Sequence, residues 1–92
     1  ISLLHWHVNR GKKSLVLDLR QPEAVEAYLD LVRNADVVIA AMRPGALARR
    51  GLTWERLREA NPRLVLCHVS GYGLTGPYRD LPSHGYAYDA WA

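Results

Sequence analysis

The 92-residue sequence contains a single cysteine, Cys67, and no long apolar run. One thiol excludes a disulfide within the chain, which favours a reducing, cytoplasmic setting. No stretch reaches the roughly 18 consecutive apolar residues of a membrane span, and none has the pattern of a signal peptide. We therefore expect neither a membrane partner nor a disulfide framework.

The sequence also lacks a basic stripe, internal repeats and low-complexity segments. The net charge is only +3, and lysine and arginine are spread along the chain, so a nucleic-acid partner is not expected and a few anion contacts are favoured. Hydrophobic residues make up 49% of the chain, which is typical of a globular core and argues against disorder.

Neither end resembles a natural terminus. The chain starts at Ile1 without an initiator methionine, and Ala92 follows Trp91 in the middle of a pattern. We expect residues 1–92 to be one partial domain of a longer protein, truncated at both ends.

Strands and helices alternate along the predicted structure. Ser14–Leu19, Asp36–Ala40 and Leu64–Val69 are apolar and rich in branched residues, which predicts three buried strands. A helix is expected from Pro22, because Val25, Tyr28, Leu29 and Val32 form one apolar stripe. A helical turn through Arg50 ends at Gly51, and Thr53 caps a further helix that Asn61-Pro62 ends. The first ten residues give no clear pattern.

This alternation predicts an α/β fold with a Rossmann-like parallel sheet and flanking helices. In such sheets, ligands bind outside the carboxyl ends of the strands. Arg20, Arg43 and the glycine-rich loop Gly71–Gly76 follow the three predicted strands. We expect these segments to meet at one edge of the sheet.

The loop itself allows three interpretations. Gly71-x-Gly73-x-x-Gly76 matches the dinucleotide-binding fingerprint, but that fingerprint needs a helix to begin at the third glycine, where Pro77 and further loop residues follow. The loop is otherwise a flexible surface turn or a wall of a ligand site formed by backbone amides, and the last of these is favoured.

Arginine and lysine supply candidate phosphate contacts, although an ordinary solvated surface explains any one of them. Arg43 stands apart because it directly follows a strand. The candidates are Lys12, Lys13, Arg20, Arg43, Arg49 and Arg50.

The histidines differ in their expected roles. His5-x-His7 supplies too few ligands for a metal site, so no metal is expected. His68 is interpreted as a structural residue of the third strand. His84 follows the glycine loop, where a histidine acts as a general base or caps a helix, and Asp89 is interpreted as structural.

Taken together, the order and spacing of several blocks resemble the family III CoA-transferases (CaiB/BaiF type), which include formyl-CoA and carnitine CoA-transferases and α-methylacyl-CoA racemase. The shared blocks are Asn9–Ser14, Leu17–Glu23, Ala35–Val37, Arg43–Gly45, Gly51–Leu52, Asn61–Leu64 and Ser70–Pro77. The resemblance implies a Rossmann-like large domain, an interlocked homodimer, and acyl-CoA and carboxylic acids as substrates.

The resemblance also places coenzyme A on particular residues. It implies that residues 17–20 lie along CoA, that 41–43 flank its nucleotide and pantetheine portions, that Arg49 meets phosphate, and that 81–84 line the crevice near the thioester. By name, the CoA-binding residues are Leu17, Asp18, Leu19, Arg20, Ala41, Met42, Arg43, Arg49, Leu81, Pro82, Ser83 and His84.

Two positions depart from the family pattern. Ala40–Arg43 replaces the usual Glu-Asn-Phe-Arg, which removes an amide and an aromatic stacking surface, and Gly85 replaces the acid that follows His84. The family's nucleophilic aspartate, which forms an acyl-aspartyl anhydride, matches neither Asp80 nor Asp89 and is expected beyond Ala92. The resemblance thus implies CoA transfer between carboxylic acids. A racemase with His84 as proton-transfer base, and a non-catalytic nucleotide-binding domain, are the alternatives.

Overall fold

A computed structural model describes residues 2–82, His84 and Ala90. Within these residues the chain forms three α-helices, two β-strands and one short 3-10 turn, Ala48–Arg50. The helices are α1 (Leu3–Val8), α2 (Pro22–Arg33) and α3 (Trp54–Ala60), and the strands are β1 (Val37–Ala40) and β2 (Val65–His68). The order of elements from α2 onward is that of an α/β fold, as predicted.

Helix α2 begins where the sequence indicates. Pro22 occupies the first turn, where its missing N–H is not needed, and Glu23 adds a negative charge at the positive end of the helix dipole. Val25, Leu29 and Val32 are buried on one face. The predicted apolar stripe is therefore confirmed, and it packs α2 against the sheet.

Helix α3 is fixed at both ends by side chains. The Thr53 hydroxyl accepts a hydrogen bond from the Arg56 N–H at 3.3 Å, which caps the first turn. At the other end, the Asn61 amide donates to the carbonyls of Val32 (3.0 Å) and Ala35 (2.7 Å). These bonds join the carboxyl ends of α2 and α3. Both predicted boundaries of α3 are confirmed.

The two strands are parallel neighbours, with Val37 opposite Val65 and Ala40 opposite His68. Helices α2 and α3 pack against each other, and their apolar residues form one core with the inner face of the sheet. Leu57 of α3 is fully buried at its centre. The buried core residues are Val25, Leu29, Val32, Ala40, Leu47, Leu52, Leu57 and Leu64.

The expectation that β1 and β2 are buried strands is correct for one face only. Val37, Ile39 and Val65 point away from the helices and are 51%, 70% and 58% exposed. Successive side chains of a strand lie on opposite faces, and α2 and α3 cover one of them. Cys67 lies on the uncovered face and is also exposed.

The predicted strand Ser14–Leu19 is wrong for this structure. Residues 12–18 have no regular secondary structure, and Leu15 and Val16 are 62% and 91% exposed. A strand exists only when a neighbour completes its ladder of hydrogen bonds, and the sheet formed by the described residues contains β1 and β2 alone. Arg20 therefore lies in the turn before α2 and does not follow a strand.

The amino-terminal helix α1 was not predicted. The Ser2 hydroxyl accepts from the His5 N–H at 3.2 Å and caps it, but none of its residues is buried. Leu3, Leu4 and Trp6 are 87%, 69% and 68% exposed. No helix in the described part of the chain is both long and apolar enough to cross a membrane.

Candidate functional site

Three separate segments meet at the carboxyl ends of β1 and β2, and two of them carry groups expected there, Arg43 and the start of the glycine loop at Gly71. The segments are residues 41–44 after β1, residues 69–71 after β2, and residues 79–82 beyond the glycine loop. Together they line a cleft of about 540 Å³. The predicted binding residues Ala41, Met42, Arg43, Leu81 and Pro82 all lie in this cleft. Arg20, the third group expected at this edge, lines the adjoining hollows and not this cleft.

Two further hollows continue from this cleft. Met42 also lines a hollow of about 460 Å³ that is formed by residues 17–20, Ala46 and Arg50. Residues 19–20 and Arg50 in turn line a hollow of about 320 Å³, with Arg49 and Arg56 on its other side. Neighbouring hollows share lining residues, Met42 between the first two and residues 19–20 and Arg50 between the last two. We call the three hollows together the crevice.

The predicted segment 17–20, which lines the crevice, contains an ion pair between two of its own residues. The Arg20 guanidinium donates to both carboxylate oxygens of Asp18, at 2.8 Å from Nε and 2.8 Å from Nη2, and the Arg20 backbone N–H also donates to Asp18. These side-chain and backbone hydrogen bonds lower the pKa of the Asp18 carboxyl from 3.8 to about 2. The Asp18 carboxylate in turn raises the pKa of Arg20.

The crevice is lined by arginines that pair with a carboxylate and by arginines that do not. Arg20 pairs with Asp18, and Arg79 pairs with Asp80 at 3.3 Å. Arg56 pairs with Glu26 at 2.5 Å. Among the described residues, Arg43, Arg49 and Arg50 have no carboxylate partner, although one nitrogen of Arg49 donates to the Pro44 carbonyl at 3.4 Å. None of these three guanidinium groups makes a direct ion pair with a described carboxylate, although the charge of Arg50 helps to lower the pKa of Asp18.

The glycine loop turns back beside the cleft without starting a helix. Gly73 and Gly76 have φ values of +85° and +88°, which L side chains rarely adopt. Residues 77–80 after Gly76 form a turn. The helix that the dinucleotide fingerprint requires is thus absent from this described segment, and the loop serves as a wall of the cleft at Gly71.

Of the remaining predicted site residues, one is described and the others lie outside the described residues. His84 is described and exposed. Ser83 and Asp89 lie outside the described residues, and so does Gly85. At the other end, His5 contacts the amide of Asn9, and no group of three metal-binding side chains occurs among the described residues.

One interaction at this edge was not predicted. The His68 ring nitrogen Nε2 lies 2.8 Å from the Met42 carbonyl oxygen. The prediction for His68 was a structural role only. The signal that could have identified it was the strand register, because Ala40 and His68 are the last paired residues of β1 and β2.

Sequence comparison relates nearly the whole chain to one family. The family model described as CoA-transferase family III matches residues 2–92. The succinate–glutarate CoA-transferase of Agrobacterium fabrum is 45% identical over 87 residues, which cover 94% of this chain and 22% of that protein. The acetyl-CoA:oxalate CoA-transferase of Acetobacter aceti is 42% identical over 90% of this chain and 21% of its own length. The chain thus spans about a fifth of these curated relatives.

Solved structures agree with the sequence relatives. A protein from Mycobacterium tuberculosis described as hypothetical superposes with a TM-score of 0.77 at 40% identity, covering 82% of this chain and 21% of that one. A CaiB/BaiF family protein from Brucella suis gives a TM-score of 0.77 at 39% identity, over 83% of this chain and 20% of its own. The family match over residues 2–92, together with these similarities in sequence and fold, shows that the chain belongs to CoA-transferase family III.

Proposed function

We propose that this chain is the CoA-binding part of the large domain of a longer protein, termed here the full-length protein, which transfers coenzyme A between carboxylic acids. The relatives named above transfer CoA to or from succinate, glutarate, acetate or oxalate, according to their names. We therefore propose short dicarboxylic acids as the first substrates to test.

The observation that carries the proposal is the distribution of charge along the crevice. Arg49 and Arg50 lie at the end bounded by α2, and Arg43 lies at the carboxyl end of β1. All three lack a carboxylate partner among the described residues. Coenzyme A is elongated and carries its three phosphate groups in its nucleotide half, so a crevice with unpaired guanidinium groups suits it.

The orientation of the substrate follows from this asymmetry. The nucleotide half occupies the end near Arg49 and Arg50, and pantetheine runs past Met42 toward Leu81 and Pro82. This arrangement directs the thioester toward His84. The chain's own residues then bind and orient the substrate by charge, shape and backbone contacts.

The chemical step needs a carboxylate that this chain does not supply. In the proposed cycle, an aspartate of the full-length protein attacks the thioester carbonyl carbon, the carbon–sulfur bond breaks, and CoA leaves as its thiolate with an acyl-aspartyl anhydride formed. The CoA thiolate then attacks the aspartyl carbonyl carbon of the anhydride, which releases the donor carboxylate and leaves an aspartyl-CoA thioester. The acceptor carboxylate attacks this thioester, forming a second anhydride and releasing the thiolate, which finally attacks the acceptor acyl carbon to give the new acyl-CoA and the free aspartate. The unpaired arginines favour retention of the anionic CoA between these steps.

The direct test is to incubate the full-length protein with succinyl-CoA and glutarate and to follow glutaryl-CoA by mass spectrometry. We expect glutaryl-CoA to form only when both substrates are present. If neither glutarate nor other short dicarboxylic acids accept CoA, the dicarboxylate assignment is wrong. The family's racemase alternative is distinguished in D₂O, where α-deuteration of a 2-methylacyl-CoA without an acceptor acid indicates the racemase reaction, and loss of this deuteration in His84→Ala would assign the proton transfer to His84.

A ligand-binding test separates transfer from nucleotide binding alone. Thermal unfolding of the full-length protein is measured with CoA and with NAD in parallel. We expect stabilisation by CoA, because a ligand that binds the native state shifts unfolding by mass action. Stabilisation by NAD and not by CoA would overturn the proposal.

The full-length protein is further proposed to form an interlocked homodimer in the cytoplasm. The exposed apolar side chains of Val37, Ile39 and Val65 support contact with further polypeptide on the outer face of the sheet. Sedimentation equilibrium gives the mass of the assembly, and a monomer at micromolar concentration would contradict the dimer.

A further inference from the structure

We propose that His68 is a positioning residue for the CoA-binding crevice. Its imidazole forms a hydrogen bond with the backbone of segment 41–43 and so fixes this segment, which lines the crevice. The inference rests on the proposed function, since it concerns how the crevice is shaped for CoA. It assigns His68 a role in ligand binding without direct contact with the ligand.

The first observation is the geometry of the hydrogen bond. Nε2 of His68 lies 2.8 Å from the Met42 carbonyl oxygen. A carbonyl oxygen only accepts hydrogen bonds, so Nε2 carries the proton and donates it. The bond therefore forms in the neutral Nε2–H tautomer and in the imidazolium alike, whereas the Nδ1–H tautomer lacks it.

The second observation is the position of the bond in the sheet. The ladder between β1 and β2 ends with Ala40 opposite His68, and one more bond joins the Val69 N–H to the Ala40 carbonyl at 2.9 Å. Beyond Ala40 the chain leaves the sheet. The His68 side chain reaches past this point and extends the link between the two strands by a further two residues, to Met42.

The third observation is that segment 41–43 has few other constraints. Among the described residues, its backbone accepts two hydrogen bonds, one from His68 at Met42 and one from the Ala46 N–H at Arg43, 3.0 Å long. Ala41, Met42 and Arg43 are all exposed. Loss of the His68 bond thus leaves the strand side of the segment free to move.

The fourth observation separates positioning from direct contact. The cleft is lined by residues 41–44, 69–71 and 79–82, and His68 is not among them. His68 instead lines an adjoining hollow, which shares Pro44 and Arg79 with the cleft. The hydrogen bond to the Met42 carbonyl connects His68 to the residues that line the cleft. His68 consequently acts on the crevice through the backbone of segment 41–43.

The side chains at positions 41 and 42 give this bond particular weight. Ala41 has a methyl side chain and Met42 a thioether, and neither donates a hydrogen bond that could fix the segment. The His68 imidazole supplies that constraint from the neighbouring strand.

The test compares His68→Gln, His68→Asn and His68→Ala in the full-length protein, with CoA affinity measured by isothermal titration calorimetry. The glutamine amide nitrogen reaches the position of Nε2, whereas the shorter asparagine amide reaches only that of Nδ1. We expect Gln to keep Kd within about twofold of wild type, and Asn and Ala to raise it about three- to tenfold, the effect of one lost hydrogen bond. Cys67→Ala, on the opposite face of β2, is the matched control and leaves Kd unchanged.

A double variant shows whether the effect passes through Arg43. In an Arg43→Ala background, His68→Asn should change the CoA Kd by less than it does in wild type, because Arg43 is one of the groups on the segment that His68 positions. Additive effects of the two substitutions would overturn the proposed route. Equal CoA affinity of wild type and His68→Asn would overturn the inference about His68. This comparison stands even if the Ala variant fails to fold.

These outcomes are distinguishable from failure of the proposed function. A wild-type protein that does not bind CoA would overturn both the function and this inference. A wild-type protein that binds CoA and is unaffected by His68→Asn would overturn the inference alone. Unchanged far-ultraviolet circular dichroism of the Gln and Asn variants establishes that their Kd values are compared on folded protein.

Discussion

Removal of the Arg43 guanidinium is the most direct test of the crevice. Arg43 follows β1 at the carboxyl edge of the sheet, is exposed, and has no hydrogen bond or ion pair with another described residue through its side chain. Its donors are therefore available to a ligand without first breaking an internal contact. Arg43→Ala should weaken CoA binding by the full value of the contact that it removes.

The magnitude follows from the strength of a charge-assisted hydrogen bond. Such a bond contributes about 1.5–3 kcal/mol, and each 1.4 kcal/mol corresponds to about a tenfold change in Kd. Because Arg43 is exposed and its charge is screened by solvent, the lower part of this range applies. We expect Kd for CoA to rise about tenfold, and somewhat less for Arg43→Lys, which keeps the charge but loses the forked geometry.

The assay is calorimetric titration of the full-length protein with CoA, and the control is Arg63→Ala. Arg63 precedes β2 and so lies at the amino edge of the sheet, opposite the crevice. Its substitution tests whether any loss of positive charge has the same effect. If Arg43→Ala and Arg63→Ala both leave Kd within twofold of wild type, Arg43 belongs to an ordinary solvated surface and the reasoning fails.

Three further predictions concern stability and titration. Leu57→Ala should lower the free energy of unfolding by about 2–5 kcal/mol because it leaves a cavity in the core, whereas Leu31→Ala on the exposed side of α2 should change it by less than about 0.5 kcal/mol; urea unfolding of the full-length protein checks both. Thr53→Ala removes the cap of α3 and should cost about 1 kcal/mol in the same measurement. The Asp18 carboxyl should titrate near pH 2 by carbon NMR, and Arg20→Gln should return its midpoint toward 3.8. Since the folded-state pKa is the lower one, the contribution of this pair to stability is present above pH 3.8 and is lost as the pH falls toward 2.

The parts of the fold that local patterns determine could be predicted. Pro22, the apolar stripe of α2 and the Thr53 cap all act within one helix, and the structure confirms them. The segment Ser14–Leu19 has the residue types of a strand, but a strand also needs a neighbour at the right distance. No pattern within six residues carries that information. The prediction missed helix α1 for a different reason. This helix has a cap, but none of its residues is buried, so it has no buried face that a sequence pattern could indicate.

The parts of the site that follow from the parallel arrangement of the strands could be predicted. Because β1 and β2 are parallel, Arg43 and Gly71 had to lie at the same edge, and they line one cleft. The bond between His68 and Met42 depends on strand register and on a ring rotamer, and residue type alone does not give either. The same holds for Asp18 and Arg20, whose pairing depends on the turn between them.

Charge pairing divides the arginines of the crevice by role. Arg20 and Arg56 are each held by a carboxylate, Asp18 and Glu26, and so shape the walls without adding net charge. Arg43 has no such partner among the described residues, and its charge is left for a ligand. The sequence, with 12 lysines and arginines against 9 acidic residues, does not show which cations are balanced. In an exposed crevice a paired guanidinium contributes little to anion binding, since its field is cancelled by the adjacent carboxylate. Affinity for a phosphate-bearing substrate therefore depends on the few unpaired cations and on whatever holds them in place, and for Arg43 that includes the hydrogen bond from β2 to the preceding carbonyl.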